Sequence, residues 1–207
     1  MNDRTGEVIC SAAVSLDGFV AGEGQSEQHP FGDIEADVLH AWQFDGSEQH
    51  QRILDYQSSR AGAYIMGRNM FGPRGADYDR TWRGWWGEEP PFHAPVFVLT
   101  HRPHEPLPME GGTTFTFVTD GIESAFQQAR AAAAGKDVCV AGGAGVVNQC
   151  LAAGLVDELW IHTVPVTIGH GERLFSDVPR MRFEPVEVGG TSKVSHVRYR
   201  VLGTAVD

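Results

Sequence analysis

Between Val138 and Leu151 the chain reads VCVAGGAGVVNQCL: an apolar run, paired glycines at 142 and 143, a third at 145, then residues at helical spacing. No other stretch constrains the fold as strongly. An apolar strand that passes through glycine directly into a helix is one joint of a β-α unit, and such units build parallel sheets. Glycine in that joint costs backbone entropy, so something must require it. Two requirements fit the local sequence. One is a turn that needs positive φ; the other is an anionic group, a phosphate first of all, lying against the free backbone donors of a helix start.

The same alternation runs through the rest of the chain. Glu7 to Val14 is a β-rich run that stops at Ser15-Leu16-Asp17-Gly18, whose Asp-Gly pair signals a turn. Asp33 to Phe44 and Ser47 to Arg60 carry apolar residues at helical spacing, as two helices or one broken at Gly46. Ala63–Met66, Pro95–Thr100 and Thr113–Thr119 read as strands. Asp120 with Glu123 resembles a capping box for an alanine-rich helix that ends at Gly135. After the glycine joint, a helix closes near Gly154 and a strand spans Glu158 to Val164. Met181–Val188 and Lys193–Leu202 alternate apolar and polar residues and are joined through Gly189-Gly190, the pattern of an antiparallel hairpin. The expected fold is a three-layer α/β/α domain over 1–207, its mixed, mainly parallel sheet closed by a C-terminal hairpin.

Composition narrows the function. Sixteen Lys+Arg face 27 Asp+Glu, a formal net charge of −11, which argues against nucleic acid or an anionic membrane as partner. No leader pattern opens the sequence and no apolar run reaches the ~20 residues of a membrane helix, so the expected location is the cytoplasm. Cys10, Cys139 and Cys150 lie in apolar segments and fit reduced core thiols. In a parallel sheet, ligands bind beyond the carboxyl ends of the strands. Ser15–Gly18, Gly67-Arg68, Thr100–Arg102 and Gly142–Gly145 all follow expected strands and could share that edge. An ordinary dinucleotide fingerprint would want a third glycine where Asn148 stands, and no acidic residue holds the ribose position.

SAAVSLDGFVAG (11–22), YIMGRNMFG (64–72), PVFVLTHRP (95–103), the opening stretch, and GLVDELWIHTVPVTIGHGERLF (154–175) occur in an order that resembles the dihydrofolate-reductase-like superfamily. The closest likeness is to its bacterial branch containing the reductase domain of riboflavin biosynthesis, over residues 7 to 203. That resemblance implies NADPH as cofactor, hydride transfer to a small heterocyclic or carbonyl substrate, and a homodimer. It implies that Gly142, Gly143, Ala144, Gly145, Val146 and Val147 meet the pyrophosphate. Gly67 and Arg68 match the turn that reaches the cofactor phosphates, and Thr100, His101 and Arg102 the turn flanking the adenine ribose. Ala13, Leu16 and Gly22 match positions along the nicotinamide. A guanidinium at each of two turns suits a ribose phosphate, although an exposed turn charge accounts for either arginine too.

The substrate side departs from the folate enzymes, which place one carboxylate in the first helix after a Pro-Trp pair. QHPFGDIEADVLHAW offers Asp33 and Asp37 without that pair, which argues against folate reduction. Asp33 is a catalytic candidate or an N-cap; Asp17, in the Ser-Leu-Asp-Gly motif, is a catalytic candidate or a turn aspartate. Within DRTWRGWWGEEPPF (79–92), Trp85 and Trp86 could stack a planar substrate or pack as a lid on their own aromatics. His162, His170 and His196 are far apart in sequence, and no metal is expected. A flavin-binding protein, or a nucleotide-binding protein without chemistry, is the alternative on the same fold.

Overall fold

The computed structural model describes residues 6–73 and 82–204. Its order is β1 (Val8–Ser15), β2 (Phe19–Ala21), α1 (Asp37–His40), a 3₁₀ turn (Ala41–Phe44), α2 (Glu48–Arg60), β3 (Ala61–Gly67), α3 (Arg68–Phe71), β4 (Pro95–Leu99) and β5 (Leu107–Pro108). Then come β6 (Thr114–Val118), α4 (Ile122–Ala133), β7 (Asp137–Gly142), α5 (Ala144–Ala152), β8 (Glu158–Val164), β9 (Glu172–Arg173), β10 (Met181–Gly190) and β11 (Ser195–Thr204). Among the described residues nine strands form one sheet in the order β10-β11-β8-β1-β7-β3-β4-β6-β5, and β2 pairs with β9 outside it. The central strands are parallel, while β11 on β8, β10 on β11 and β5 on β6 are antiparallel.

The placement of β7 decides the rest. It enters between β1 and β3, with Val8 opposite Val138 on one side and Tyr64 opposite Cys139 on the other. Strands flanked on both sides and covered on both faces read as continuous apolar runs, which is why Val138–Val140 carries no alternation. On one face, Val8, Cys10, Val14, Ile65 and Val140 pack against Ala125, Ala129 and Ala133 of α4 and Val146, Val147 and Leu151 of α5. The other face sets Ile9, Cys139 and Trp160 against Ile53 of α2. Small alanines at every fourth position of α4 let that helix lie close on the strands, which stacks three layers.

Three expectations need correction. The stretch from Asp33 is not helical until Asp37, because its carboxylate is engaged across the loop, and Gly46 at φ 72 separates the 3₁₀ turn from α2. Asp120 does not cap α4; Gly121 at φ 92 is the N-cap and no side chain bonds there. At the other end Ala134 is left-handed and Gly135 follows at φ 89. Gly189-Gly190 is not the hairpin turn but the paired end of β10, with Gly190 opposite Ser195, and residues 191–194 make the turn. The short β2, β5, β9 and α3 carry too few residues for a periodic signal.

Ile65 is fully buried in β3 between α4 and the inserted β7. Ile65→Ala should destabilise the protein by about 2–5 kcal/mol. Chemical denaturation measures it, and a cost below about 1 kcal/mol would mean that this layer can collapse around the void.

Candidate functional site

The parallel strands end at a common edge, and a cleft of about 1210 Å³ opens there. Its walls come from β1, the β3–α3 and β4 turns, the β7–α5 joint, α1 and α2.

The three glycines of the joint answer to different needs. Gly142 stands at φ 119, a conformation that favours glycine; its peptide bond to Gly143 is cis. Gly143, the N-cap of α5, has φ −72 and ψ −167, open to any residue, and a Cβ built on it meets nothing within 4 Å. Gly145 lies in the first turn of α5 with equally open space around it. Among the described residues nothing crowds a Cβ at 143 or 145, although a helical glycine costs about 1 kcal/mol against alanine. Gly67 faces the same joint, where a Cβ would lie 3.1 Å from Val146 Cγ2 and 3.7 Å from the Gly143 nitrogen.

Of the residues singled out in the sequence, Ala13, Gly67, Arg68, Thr100, His101, Gly142, Gly143, Ala144, Gly145, Val146, Val147, Trp85 and Trp86 line this cleft. Arg68 also donates to the Pro73 carbonyl, which fixes its guanidinium at the start of α3. Trp86 and Phe92 meet edge to face at 4.9 Å and Trp86 stacks over Phe115 at 6.0 Å, so the aromatic segment both packs on its own core and faces the cleft. Residues 79–81 of that segment lie outside the described residues.

Leu16, Gly22, Arg102, Asp17 and Asp33 are not among the lining residues. The Leu16 side chain is 63% exposed. Gly22 has a packing reason, since a Cβ there would lie 2.0 Å from Asp33 Oδ1. Arg102 sits exposed beyond Thr100, whose Oγ1 accepts its backbone N–H at 3.2 Å. Asp17 ties two loops together: it accepts from Ser15 Oγ at 2.5 Å, from the Ile168 nitrogen at 3.1 Å and from the Gly169 nitrogen at 2.7 Å. The Ser15 hydroxyl and these amides hold its carboxyl down to about 2. Asp33 accepts from the Glu23 nitrogen at 2.9 Å and pairs with His170 at 2.8 Å. It is neither an N-cap nor a cleft carboxylate.

Two features escaped the sequence. Asp37 of α1, one of the two first-helix carboxylates singled out in the sequence, does line the cleft, and so do two that were not, Asp55 of α2 and Glu172 of β9; Asp55 accepts from Gln51 at 2.8 Å, one turn earlier on the same face. Helical spacing could have singled out Asp55, because Gln51, Asp55 and Ser58 fall on one polar stripe. Asn148, in place of the third glycine, donates to the Arg173 carbonyl at 3.2 Å and accepts from the Phe175 nitrogen at 2.8 Å. It therefore pins the segment after β9 to α5.

His162 and His196, far apart in sequence, are opposite one another on β8 and β11, with their Nδ1 atoms 2.7 Å apart. Burial pushes His162 down to about 3 and His196 to about 4, each below the ordinary 6.5. The unfolded chain therefore binds protons that the folded chain refuses between those values, and stability rises with pH across that window. Lowering pH from 7 to 4.5 should lower the melting temperature, and His162→Gln should flatten that slope. An unchanged slope would show that the pair does not set acid sensitivity.

The comparisons fit this architecture. The model of the RibD C-terminal domain family matches residues 7–195. No curated protein sequence matches the chain. Among solved structures, a candidate riboflavin biosynthesis protein from Shewanella sp. PV-4 is 20% identical, with a TM-score of 0.65 over 94% of this chain and 98% of that one. RibD from Acinetobacter baumannii is 15% identical at a TM-score of 0.61, over 95% of this chain but 58% of that one. Dihydrofolate reductase from Enterococcus faecalis, solved in complex with NADP(H) and RAB-propyl, is 14% identical at a TM-score of 0.58, over 96% of this chain and 98% of that one. With a match across nearly the whole described sheet and its glycine joint, the chain belongs to the RibD C-terminal domain family.

Proposed function

We propose that this protein is a cytoplasmic NADPH-dependent oxidoreductase that reduces a small heterocyclic or carbonyl compound. The carrying observation is the bare backbone at Gly143 and Gly145, where the first turn of α5 opens onto the cleft and no described atom lies within 4 Å of an added Cβ. Peptide dipoles and unpaired N–H groups at a nine-residue helix start favour a phosphate. Supporting the same reading, the cationic Arg68 and the turn Thr100-His101 lie on the α5 side of the cleft, while Asp37 and Asp55 lie on the α1–α2 side. A dinucleotide would place its phosphates on the first side and leave the second for substrate.

In that arrangement Gly143–Val147, Gly67, Arg68, Thr100 and His101 would hold the cofactor, and Ala13 would border its reactive ring. Bound there, a reduced nicotinamide supplies a hydride. The half-buried Trp85 and Trp86 suit a planar substrate, and the neighbouring Tyr64 and Phe92 rings exclude water from it. The single catalytic unit would span 1–207 and pair as a homodimer, for which the edge strand β10 offers exposed Val186 and Val188. Light scattering tests the dimer, and a monomeric mass would reject it.

Gly143→Val should keep the fold, because its φ and ψ admit valine and its Cβ meets nothing, yet NADPH binding should be lost. Unchanged affinity in the folded variant would remove the phosphate role. Arg68→Ala should weaken NADPH about 10- to 150-fold and barely affect NADH, as expected for one charge-assisted bond to a ribose phosphate. Fluorescence titration checks both cofactors, with Arg102→Ala expected to have a smaller effect. Equal losses would mean that Arg68 only shapes the turn. Dihydrofolate should turn over far below the typical ~10 per second of enzymes. A thermal-shift panel with NADPH, NADH, flavin mononucleotide and dihydrofolate completes the test, and stabilisation by the flavin alone would favour a flavin-binding protein instead.

A further inference from the structure

We propose that Ser11 is a fixed hydrogen-bond donor in the substrate half of the cleft. The compound reduced there then presents a bare acceptor to β1, either a carbonyl oxygen or an unprotonated ring nitrogen. The proposal rests on the reductase reading and names an edge that its substrate must carry.

The geometry is a row of three side chains on adjacent strands, closed at one end. Ser11 of β1 is half-buried and lines the cleft. Among the described residues its Oγ has one partner, His162 Nε2 of β8, at 3.0 Å. His162 Nδ1 lies 2.7 Å from His196 Nδ1 on β11. The row ends there, because His196 Nε2 is shut away from solvent and has no hydrogen-bond partner among the described residues. The rings around it offer none. The Trp42 indole, centred 5.0 Å from His196, gives its N–H to the Leu39 carbonyl, and His50, centred 5.1 Å away, turns its Nδ1 to the Asp45 carboxylate.

That closed end sets the direction of every bond in the row. Burial pushes His162 down to about 3 and His196 to about 4, so both rings are neutral at pH 7, and a neutral imidazole carries one hydrogen. Placed on His196 Nε2, the hydrogen would make a stranded buried N–H, the rarer kind of orphan in folded proteins. Placed on Nδ1, it leaves only a bare lone pair at Nε2. His196 Nδ1–H therefore donates to His162 Nδ1, and His162 carries its own hydrogen on Nε2 and donates it to Ser11 Oγ. The Ser11 hydroxyl hydrogen has no room along that bond and turns to the cleft. The opposite arrangement would spend that hydrogen on His162, show the cleft lone pairs alone and select donors.

Both rings keep their hydrogens throughout; the row orients a bond and transfers nothing. It runs from β1 through β8 to β11, away from β7 and the glycine joint, and Trp42, between α1 and α2, packs 4.7 Å from His162. Ser11 thus belongs to the side left for substrate. A donor aimed at a carbonyl oxygen or a ring nitrogen also polarises the adjoining C=O or C=N bond toward hydride.

Histidine-labelled protein without ligand gives the first readout, by two-bond proton–nitrogen spectra at pH 7. Hydrogen on His162 Nε2 and on His196 Nδ1 is expected; any other arrangement, an imidazolium included, would overturn the proposal. Three planar bicyclic probes give the second, titrated against the same protein: 1-indanone with a carbonyl acceptor, isoquinoline with a bare ring nitrogen, and indole with a donor alone. One or both acceptors should bind about 2- to 13-fold tighter than indole, as one hydrogen bond provides, and the tighter of the two tells carbonyl from ring nitrogen. Ser11→Ala should erase that preference, and Ser11→Thr, which keeps the hydroxyl, should retain it. Equal affinities in the wild type, binding by none of the probes, or a preference that survives in Ser11→Ala would overturn the donor role. Failure of the wild type to bind NADPH would instead overturn the reductase reading and leave the tautomers and the probe preference standing.

Discussion

Inserting β7 between β1 and β3 puts one β-α joint at the centre of the sheet edge rather than at its rim. Parallel pairing on both sides fixes where that strand ends, and Gly142 at φ 119 turns the chain straight into α5. The β3 turn approaches this joint closely enough that Gly67 has little room for a side chain, and Asn148 on the far side of α5 ties down the segment after β9. The joint itself is held by the sheet, which fixes the cleft edge that the surrounding loops complete.

The two faces of the sheet have separate tasks. Alanines of α4 and the apolar face of α5 supply a dry layer of small side chains, where burial is the dominant stabilising term. The opposite face carries α1 and α2 and accommodates polar groups: Ser11, His162 and His196 in a row on three adjacent strands, roofed by Trp42. A buried polar row costs stability, most of all in acid.

Much of this was legible in the sequence. Long apolar runs, the Asp-Gly turn and the glycine joint located the parallel strands and the edge where they end, since burial on both faces leaves a continuous apolar signature. Local chemistry misled where a longer-range bond competes. Asp33 looks like a cap but is engaged by the Glu23 amide and His170, and Asp120 looks like a capping box but yields to Gly121. Asp17 was singled out and Asp55 passed over because a turn motif is visible in four residues, whereas a polar stripe on α2 shows only once the helix is placed against the cleft. The histidine pair was invisible, since residues 34 positions apart reveal nothing of a shared register until β8 and β11 are paired.

The account stands on bare backbone at 143 and 145 meeting a phosphate. Backbone amide chemical shifts recorded during an NADPH titration test this directly. The largest changes should fall on Gly143, Ala144, Gly145 and Val146, followed by Gly67 and Arg68, with Asp17 and the β10–β11 hairpin unmoved. Saturable binding that shifts other residues and leaves 143–146 in place would contradict it.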